Sequence, residues 1–284
     1  MAVTLTDLHA IGLKPAVFHY ACRRIAAGEQ PMDVYYDLKL GADQQAYIDR
    51  MTAPAVEKAA EPPRHPAKWS QAVLDRLAPI VADEHARLGR ELRILDPFAG
   101  VGADRLQTAV DGHGQVVGVE LEPEWAAANS RTIVGDALNL RFSAASFDAI
   151  ITSVTFANRM ADDHDARDDS RRNTYRHALG HELTDGTSAN LQWGSKYKAF
   201  HQAFVVEALR VLRPEALLAI NIKNHIRGGQ EQLVAEWWLT ELLDYGLSLV
   251  EVARVETPGL RFGQNHEARV DGELIIVTRT PEEP

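Results

Sequence analysis

Three apolar runs in this sequence end in groups suited to holding a nucleoside. The first, Leu92 to Leu95, leads into Asp96-Pro97-Phe98-Ala99-Gly100-Val101-Gly102. Gly100 and Gly102 let backbone approach a ligand closely and adopt dihedrals closed to other residues. The second, Val116 to Val119, ends in Glu120, about twenty residues after the glycine turn, where an acid can accept both hydroxyls of a ribose. The third, Thr132 to Val134, is followed by Gly135-Asp136-Ala137, so that Asp136 can receive the amino group of an adenine while apolar neighbours flank the ring. A dinucleotide site would prefer Gly-x-Gly-x-x-Gly opening a helix against a pyrophosphate. Here Arg105 holds the third glycine position. The alternative is a structural turn in a generic α/β domain, and the three strand ends together count against it.

Elements of alternating type must position these groups. Ser70 can cap a helix running to about Ala86, with Val73, Leu74, Leu77, Ile80 and Val81 on one face. Further helices are predicted over Asp104 to Val110, Glu122 to Asn129, Tyr197 to Leu212 and Leu233 to Leu243, with Pro214 ending the fourth of the five. Further strands are predicted over Phe147 to Thr152, Leu217 to Ile222, Leu247 to Val255 and Glu273 to Thr278, the last two antiparallel. Short apolar strands separated by helices imply βαβ units and a mostly parallel twisted sheet with helices on both faces. Ligands bind such sheets at the carboxyl ends of the strands. Residues 1–60 read as a helical segment, from the spacing of Leu5, Leu8, Ile11, Leu13, Phe18, Cys22 and Ile25 and from a second stretch over Ala42 to Met51. Glu61-Pro62-Pro63-Arg64-His65-Pro66 is too proline-rich for a helix interior and reads as the linker into a main domain over 61–284.

At 284 residues there is room for one large domain, or for one domain plus an appendage. Hydrophobic residues at 45% and charged residues at 25% suit a soluble globular protein, and no apolar run reaches the ~18 residues of a membrane span. Met1 to Ala10 carries Asp7 and His9 and does not read as a secretion signal. Cys22 is the sole cysteine, which excludes an internal disulfide framework and a cysteine-rich zinc cluster and agrees with a reducing cytoplasm. The net charge of −10 counts against coating nucleic acid by long-range attraction, although a local basic patch is compatible with it.

Asp96 to Gly102 resembles the cofactor loop of the amino-methylating (N6-adenine and N4-cytosine) DNA methyltransferases. His65-Pro66-Ala67-Lys68-Trp69-Ser70 is similar to the His-Pro-x-Lys segment of the same enzymes. Thr152 to Arg159, Asn173-Thr174-Tyr175, Gln192-Trp193-Gly194 and Asn221-Ile222-Lys223 further resemble a phage-associated branch of that group. The resemblance covers about residues 64–279 and implies a Rossmann-like methyltransferase fold with S-adenosylmethionine as cofactor. It places His65 and Lys68 beside the methionine moiety, Asp96 near the cofactor's amino group in the loop with Pro97, Phe98, Ala99, Gly100 and Gly102, Glu120 on the ribose, and Asp136 and Ala137 at the adenine. The implied partner is double-stranded DNA with the target base flipped out.

Methyl transfer to an exocyclic amine needs no covalent nucleophile. A side-chain acceptor and a main-chain carbonyl free and aim the nitrogen lone pair, and an aromatic ring stacks on the base. The family places these groups after the fourth strand as Asp/Asn/Ser-Pro-Pro-Tyr or as a Thr-Ser-Pro-x-Tyr variant. Here the segment is Thr152-Ser153-Val154-Thr155-Phe156-Ala157-Asn158. Ser153 keeps an acceptor and Phe156 a stacking ring, but Val154 and Thr155 replace both prolines, which predicts a less constrained backbone. Cytosine-C5 methylation needs a thiolate at this strand, and Cys22 lies far from it in the sequence. Three readings follow: an amino-directed DNA methyltransferase, the same scaffold acting on RNA or a small molecule, and a non-catalytic binding protein that keeps the fold.

The insert at 158–195 is too long for an ordinary connection. Its Asn158, Arg159, Arg171, Arg172 and Tyr175 could contact phosphates and bases, with Lys223 joining from the fifth strand's end. The plainer reading is a solvated loop in which these arginines pair with the neighbouring aspartates. His177 and His181 are four apart, but with no cysteine nearby the sequence predicts no metal. Arg227-Gly228-Gly229 reads as a turn, and of Trp237 and Trp238 one is expected in the core and the other partly exposed.

Overall fold

The computed structural model describes residues 12–14, 17, 18, 21, 24, 34, 37–41, 44, 45, 48, 65–157, 174–257, 270 and 272–282. The chain divides into two compact units, Met1–Glu61 and Pro62–Pro284. In the first, Leu13, Phe18, Ala21, Val34, Leu40 and Ile48 are buried together, and Arg24 pairs with Asp37 at 3.0 Å. Phe18, Ala21 and Arg24 are helical, as are Gln44, Gln45 and Ile48.

The second unit is built on a seven-stranded sheet. Its elements in chain order are α1 (Gln71–Leu88), β1 (Leu92–Asp96), α2 (Ala103–Ala109), β2 (Gly114–Glu120), α3 (Pro123–Ala127), β3 (Thr132–Val134) and β4 (Phe147–Ser153). There follow α4 (Tyr175–Leu179), α5 (Ser195–Val211), β5 (Leu212–Ile222), β6 (His225–Arg227), β7 (Gln230–Gln232), α6 (Val234–Asp244), β8 (Ser248–Glu256) and β9 (Gly272–Arg279). The strand order is β3-β2-β1-β4-β5-β9-β8. The first five strands run parallel, and β9 runs antiparallel to both β5 and β8. This is the mostly parallel sheet of βαβ units, with an antiparallel C-terminal strand pair, that the strand and helix pattern implied.

Alternation along the strands divides the apolar residues between two cores. On β5, Leu218, Ile220 and Ile222 face a core built with Phe204, Val205 and Ala208 of α5 and Trp238 and Leu242 of α6. Leu217 and Ala219 face the other, shared with Val73, Leu74, Leu77 and Val81 of α1 and Leu106 of α2. Successive strand side chains point to opposite faces, so a central strand must be apolar throughout. Ser70 caps α1 as predicted, its Oγ accepting from the Val73 N–H at 3.3 Å, and Gly89 closes the helix in the left-handed conformation.

Two local features add detail to what the sequence predicts. α5 ends at Val211 with Pro214 just beyond it, as expected, and the chain passes directly into β5 at Leu212. The ladder with β4 jumps from Phe147↔Leu212 to Ala149↔Leu217, so the proline sits in the looped-out residues and removes no ladder hydrogen bond. Gly228-Gly229 is a turn, as expected, and it closes the β6–β7 hairpin between Arg227 and Gln230. The two-residue Gly228-Gly229 loop between short extended runs was the available signal. Trp238 is fully buried and Trp237 partly so, as the helix pattern required.

Candidate functional site

The tips of β1, β2 and β3 lie side by side at the carboxyl edge of the sheet, where the turns after them meet a cavity of about 410 Å³. The loop after β1 is tied to the tip of β2. Glu120 Oε2 accepts from the Gly100 N–H at 2.8 Å and Oε1 from the Glu122 N–H at 2.9 Å. Burial raises the Glu120 carboxyl above its usual range against those two bonds. Gly100 has φ +51°, and a side chain there would start 2.8 Å from Nε2 of His65. At Gly102 the constraint is space, since a Cβ would lie 2.6 Å from the Trp69 ring. His65 packs against Trp125 and Tyr175, with ring centroids 4.4 and 5.1 Å away. Burial, with Lys68 nearby, lowers the His65 pKa to about 4, so its ring is neutral at physiological pH.

His65, Lys68, Pro97, Phe98, Ala99, Gly102, Glu120, Asp136, Ala137, Ser153, Val154, Thr155, Phe156 and Tyr175 all line this one cavity. Asp136 is exposed and holds its own turn, Oδ1 accepting from the Leu138 N–H at 2.8 Å. Asp96 and Gly100 stand behind the wall. Asp96 is buried at the end of β1, its Oδ1 accepting from the Phe98 N–H at 3.2 Å and from the Thr152 hydroxyl at 2.6 Å. Asp96 thereby clamps the glycine loop to β4 and does not itself line the cavity.

Burial pushes Asp96 up to about 7, against its bonds to Thr152 and Phe98. Its unfolded value is near 3.8, so between about pH 4 and 7 the folded chain holds the extra proton and this group's contribution falls as pH rises. Asp96→Asn, which stays neutral, should gain stability relative to the parent protein as pH rises from 4.5 to 8. Thermal denaturation at both values checks this, and a gap that stays constant would contradict it.

The replacement of both prolines does not leave the segment after β4 loose, as their absence predicted. The Tyr197 hydroxyl donates to the Thr155 carbonyl at 2.6 Å and itself accepts from the Trp238 indole at 3.2 Å. The Thr155 hydroxyl bonds Ser188 Oγ at 3.1 Å, and the Trp193 N–H donates to the Ala157 carbonyl at 3.1 Å. Ala157 takes φ +58°, an uncommon conformation for a residue with a Cβ, directly after Phe156.

Asn158, Arg159, Arg171 and Arg172 lie outside the described residues. The later part of the insert is not a solvated loop. Glu122, buried, accepts from the Thr184 N–H at 2.8 Å and the Thr184 hydroxyl at 3.0 Å, and His181 meets Glu124 at 3.0 Å. Leu183, Gly186, Thr187, Ser188 and Ala189 thereby form part of the cavity wall. Tyr175 is correspondingly buried against Trp125 while still lining the cavity. Lys223 is not part of the wall, and its ammonium donates to Thr257 at 3.3 Å. Gly180 ends α4 in the left-handed conformation, so His177 and His181 do not share a helix face. Among the described residues no cluster of histidine, cysteine and acidic side chains could hold a metal.

The sequence reading missed Trp125, Phe200, Asn221 and Glu273 in the wall. Asn221 is the penultimate residue of β5, an acceptor-bearing side chain at the end of an apolar strand, and that position was a usable signal.

No family model matches the chain, and no curated protein matches it. Solved structures with a similar fold include the cyclase SpnF, at 18% identity and TM-score 0.47, covering 84% of this chain and 96% of that one. Another is 1,6-didemethyltoxoflavin-N1-methyltransferase from Burkholderia thailandensis with S-adenosylhomocysteine bound, at 17% identity and TM-score 0.41, covering 75% and 80%. A third is the N-methyltransferase NodS from Bradyrhizobium japonicum WM9, also with S-adenosylhomocysteine, at 14% identity and TM-score 0.45, covering 75% and 89%. Likeness at this level concerns the fold alone.

Proposed function

We propose that this chain is an S-adenosylmethionine-dependent methyltransferase whose acceptor is the exocyclic amine of a nucleobase, adenine N6 or cytosine N4 in DNA. The observation that carries the reading is that one cavity joins Glu120 and Asp136, at the nucleoside-holding strand tips, to Ser153 and Phe156 after β4.

The residues present fit the cofactor. The cavity's size lies in the range of small-molecule sites, roughly 300–1,000 Å³. Glu120 is held by two backbone N–H groups and so is preset to accept ribose hydroxyls. Asp136 and Ala137 offer an acceptor and an apolar surface at the adenine end. The carboxylates of Glu120 and Asp136, with Lys68 the described wall's cation beside a neutral His65, suit a positively charged ligand. When bound, the cofactor supplies an electrophilic methyl group on its sulfonium.

This chain's own residues then orient the acceptor. Phe156 stacks on the base, Ser153 lies at the strand tip beside it, and Tyr197, Ser188 and Trp193 keep the intervening backbone in place so that the amine is aimed without a search. The resemblance described for residues 64–279 supports DNA as the source of the base. Host DNA from cells expressing the protein, digested to nucleosides, should contain N6-methyladenine or N4-methylcytosine. Unmodified DNA, with S-adenosylhomocysteine binding intact by calorimetry, would overturn the DNA assignment. The acidic wall favours one second reading, methylation of a small neutral amine, and the small-molecule extract of the same cells tests it.

Phe156→Ala should lower turnover by roughly 10- to 100-fold, the worth of one base–aromatic stack of about 1–3 kcal/mol. Affinity for S-adenosylhomocysteine should not change. Steady-state kinetics and calorimetry separate the two, and undiminished turnover would place the reacting base elsewhere.

A further inference from the structure

The reversal of β9 brings a carboxylate to the reactive end of the cavity. The five parallel strands deliver their carboxyl ends to this rim, whereas an antiparallel strand delivers its start. Glu273 is the second residue of β9 and lies next to Asn221, at the end of β5. The Asn221 amide donates to Glu273 Oε2 at 2.7 Å and to Ser153 Oγ at 3.2 Å, and all three residues line the cavity. These two bonds use both amide hydrogens and fix which way the amide faces. Asn221 is 3% exposed, and its Oδ1 has no hydrogen-bond partner among the described residues. A buried acceptor of this kind is costly unless something donates to it. Hydrogen-bond capacity left over at this end of the cavity is therefore rich in acceptors: Asn221 Oδ1 and the unshared oxygen of Glu273.

We infer that Asn221 and Glu273 recognise the substrate by receiving the two N–H groups of an amino group, Glu273 supplying from β9 the carboxylate that Ser153 does not supply from β4. This rests on the proposed function for the identity of the acceptor and adds two residues to it. The arrangement selects amino-bearing bases over keto-bearing ones, because a carbonyl oxygen would face acceptors with no hydrogen to share.

The probes are 2′-deoxyadenosine and 2′-deoxycytidine, with their keto counterparts 2′-deoxyinosine and 2′-deoxyuridine, added to protein saturated with S-adenosylhomocysteine and read by saturation-transfer NMR. The parent protein should bind one amino nucleoside at least about tenfold better than its keto partner. Glu273→Gln, which exchanges one acceptor for a donor without changing shape, should erase that preference and leave S-adenosylhomocysteine affinity within about twofold by calorimetry. Ser153→Asp in the Glu273→Gln background should restore it. No preference in the parent protein, a preference that survives Glu273→Gln, or a parallel loss of S-adenosylhomocysteine affinity overturns the inference. An amino preference that behaves as described while host DNA stays unmethylated would instead sink the DNA assignment alone.

Discussion

Gly100→Val should abolish measurable binding of S-adenosylhomocysteine while leaving the fold intact. At φ +51° a β-branched residue is strained by more than the ~1–2 kcal/mol that a left-handed conformation costs an ordinary side chain. Its Cβ would also start 2.8 Å from Nε2 of His65, inside contact distance. That ring is packed against Trp125 and Tyr175 and has little room to retreat. Relief comes from rotating the peptide, which withdraws the Gly100 N–H from Glu120 and releases the carboxylate that it orients. A hydrogen bond to a charged group contributes about 1.5–3 kcal/mol. Together these amount to roughly 3–4 kcal/mol, or about 100- to 1,000-fold in affinity. The loop lies outside the sheet ladder, so circular dichroism should be unchanged. Unaltered affinity by calorimetry would contradict the placement of the cofactor on this loop.

The second large effect is on stability, at the opposite edge of the sheet. Asp148 on β4 is 2% exposed and receives Arg90 at 2.6 and 2.8 Å, the Arg93 N–H at 2.8 Å, and Arg213. Burial pushes its carboxyl up, but the bonds from Arg90, the Arg93 N–H and Arg213 outweigh this and hold it at about 2. Asp148→Ala leaves the two guanidinium groups and a backbone N–H without their shared acceptor. Breaking such a buried arrangement costs about 3–5 kcal/mol, and the lower end applies because Arg90 and Arg213 stay partly in water. The midpoint of thermal unfolding should fall by roughly 6–12 °C. The folded pKa lies below the unfolded value of 3.8, so the parent protein has this contribution in full above about pH 4 and loses it as pH falls towards 2. The variant should therefore lose less stability than the parent over that acid range. Equal acid sensitivity would show that Asp148 is not the group responsible.

The placing of the β1, β2 and β3 tips at one edge of the sheet was legible in the sequence because its information is local. Asp96, Glu120 and Asp136 each stand at the end of a short apolar run, and a strand tip followed by a turn fixes where the next side chain can go. The parallel sheet was legible for the same reason: strands buried on both faces are apolar without interruption. What escaped the sequence is long-range. Nothing near Thr155 announces that Tyr197 holds its carbonyl, and nothing near Glu122 announces Thr184. Glu273 was invisible as a site residue because its importance depends on β9 being threaded in reverse between β5 and β8, a choice of pairing rather than of residue type. The burial of Tyr175 escaped the sequence because a tyrosine among arginines reads as an exposed patch until its packing partner, Trp125, is known.

The bond from Tyr197 to Thr155 spans 42 positions of chain. The outline of the rim after β4 is thus written in α5 and α6 and only displayed at Ser153 to Phe156. Letters at the display site can change while the distant contacts keep the contour, so a search keyed to a four-residue signature does not register the shape that those contacts hold.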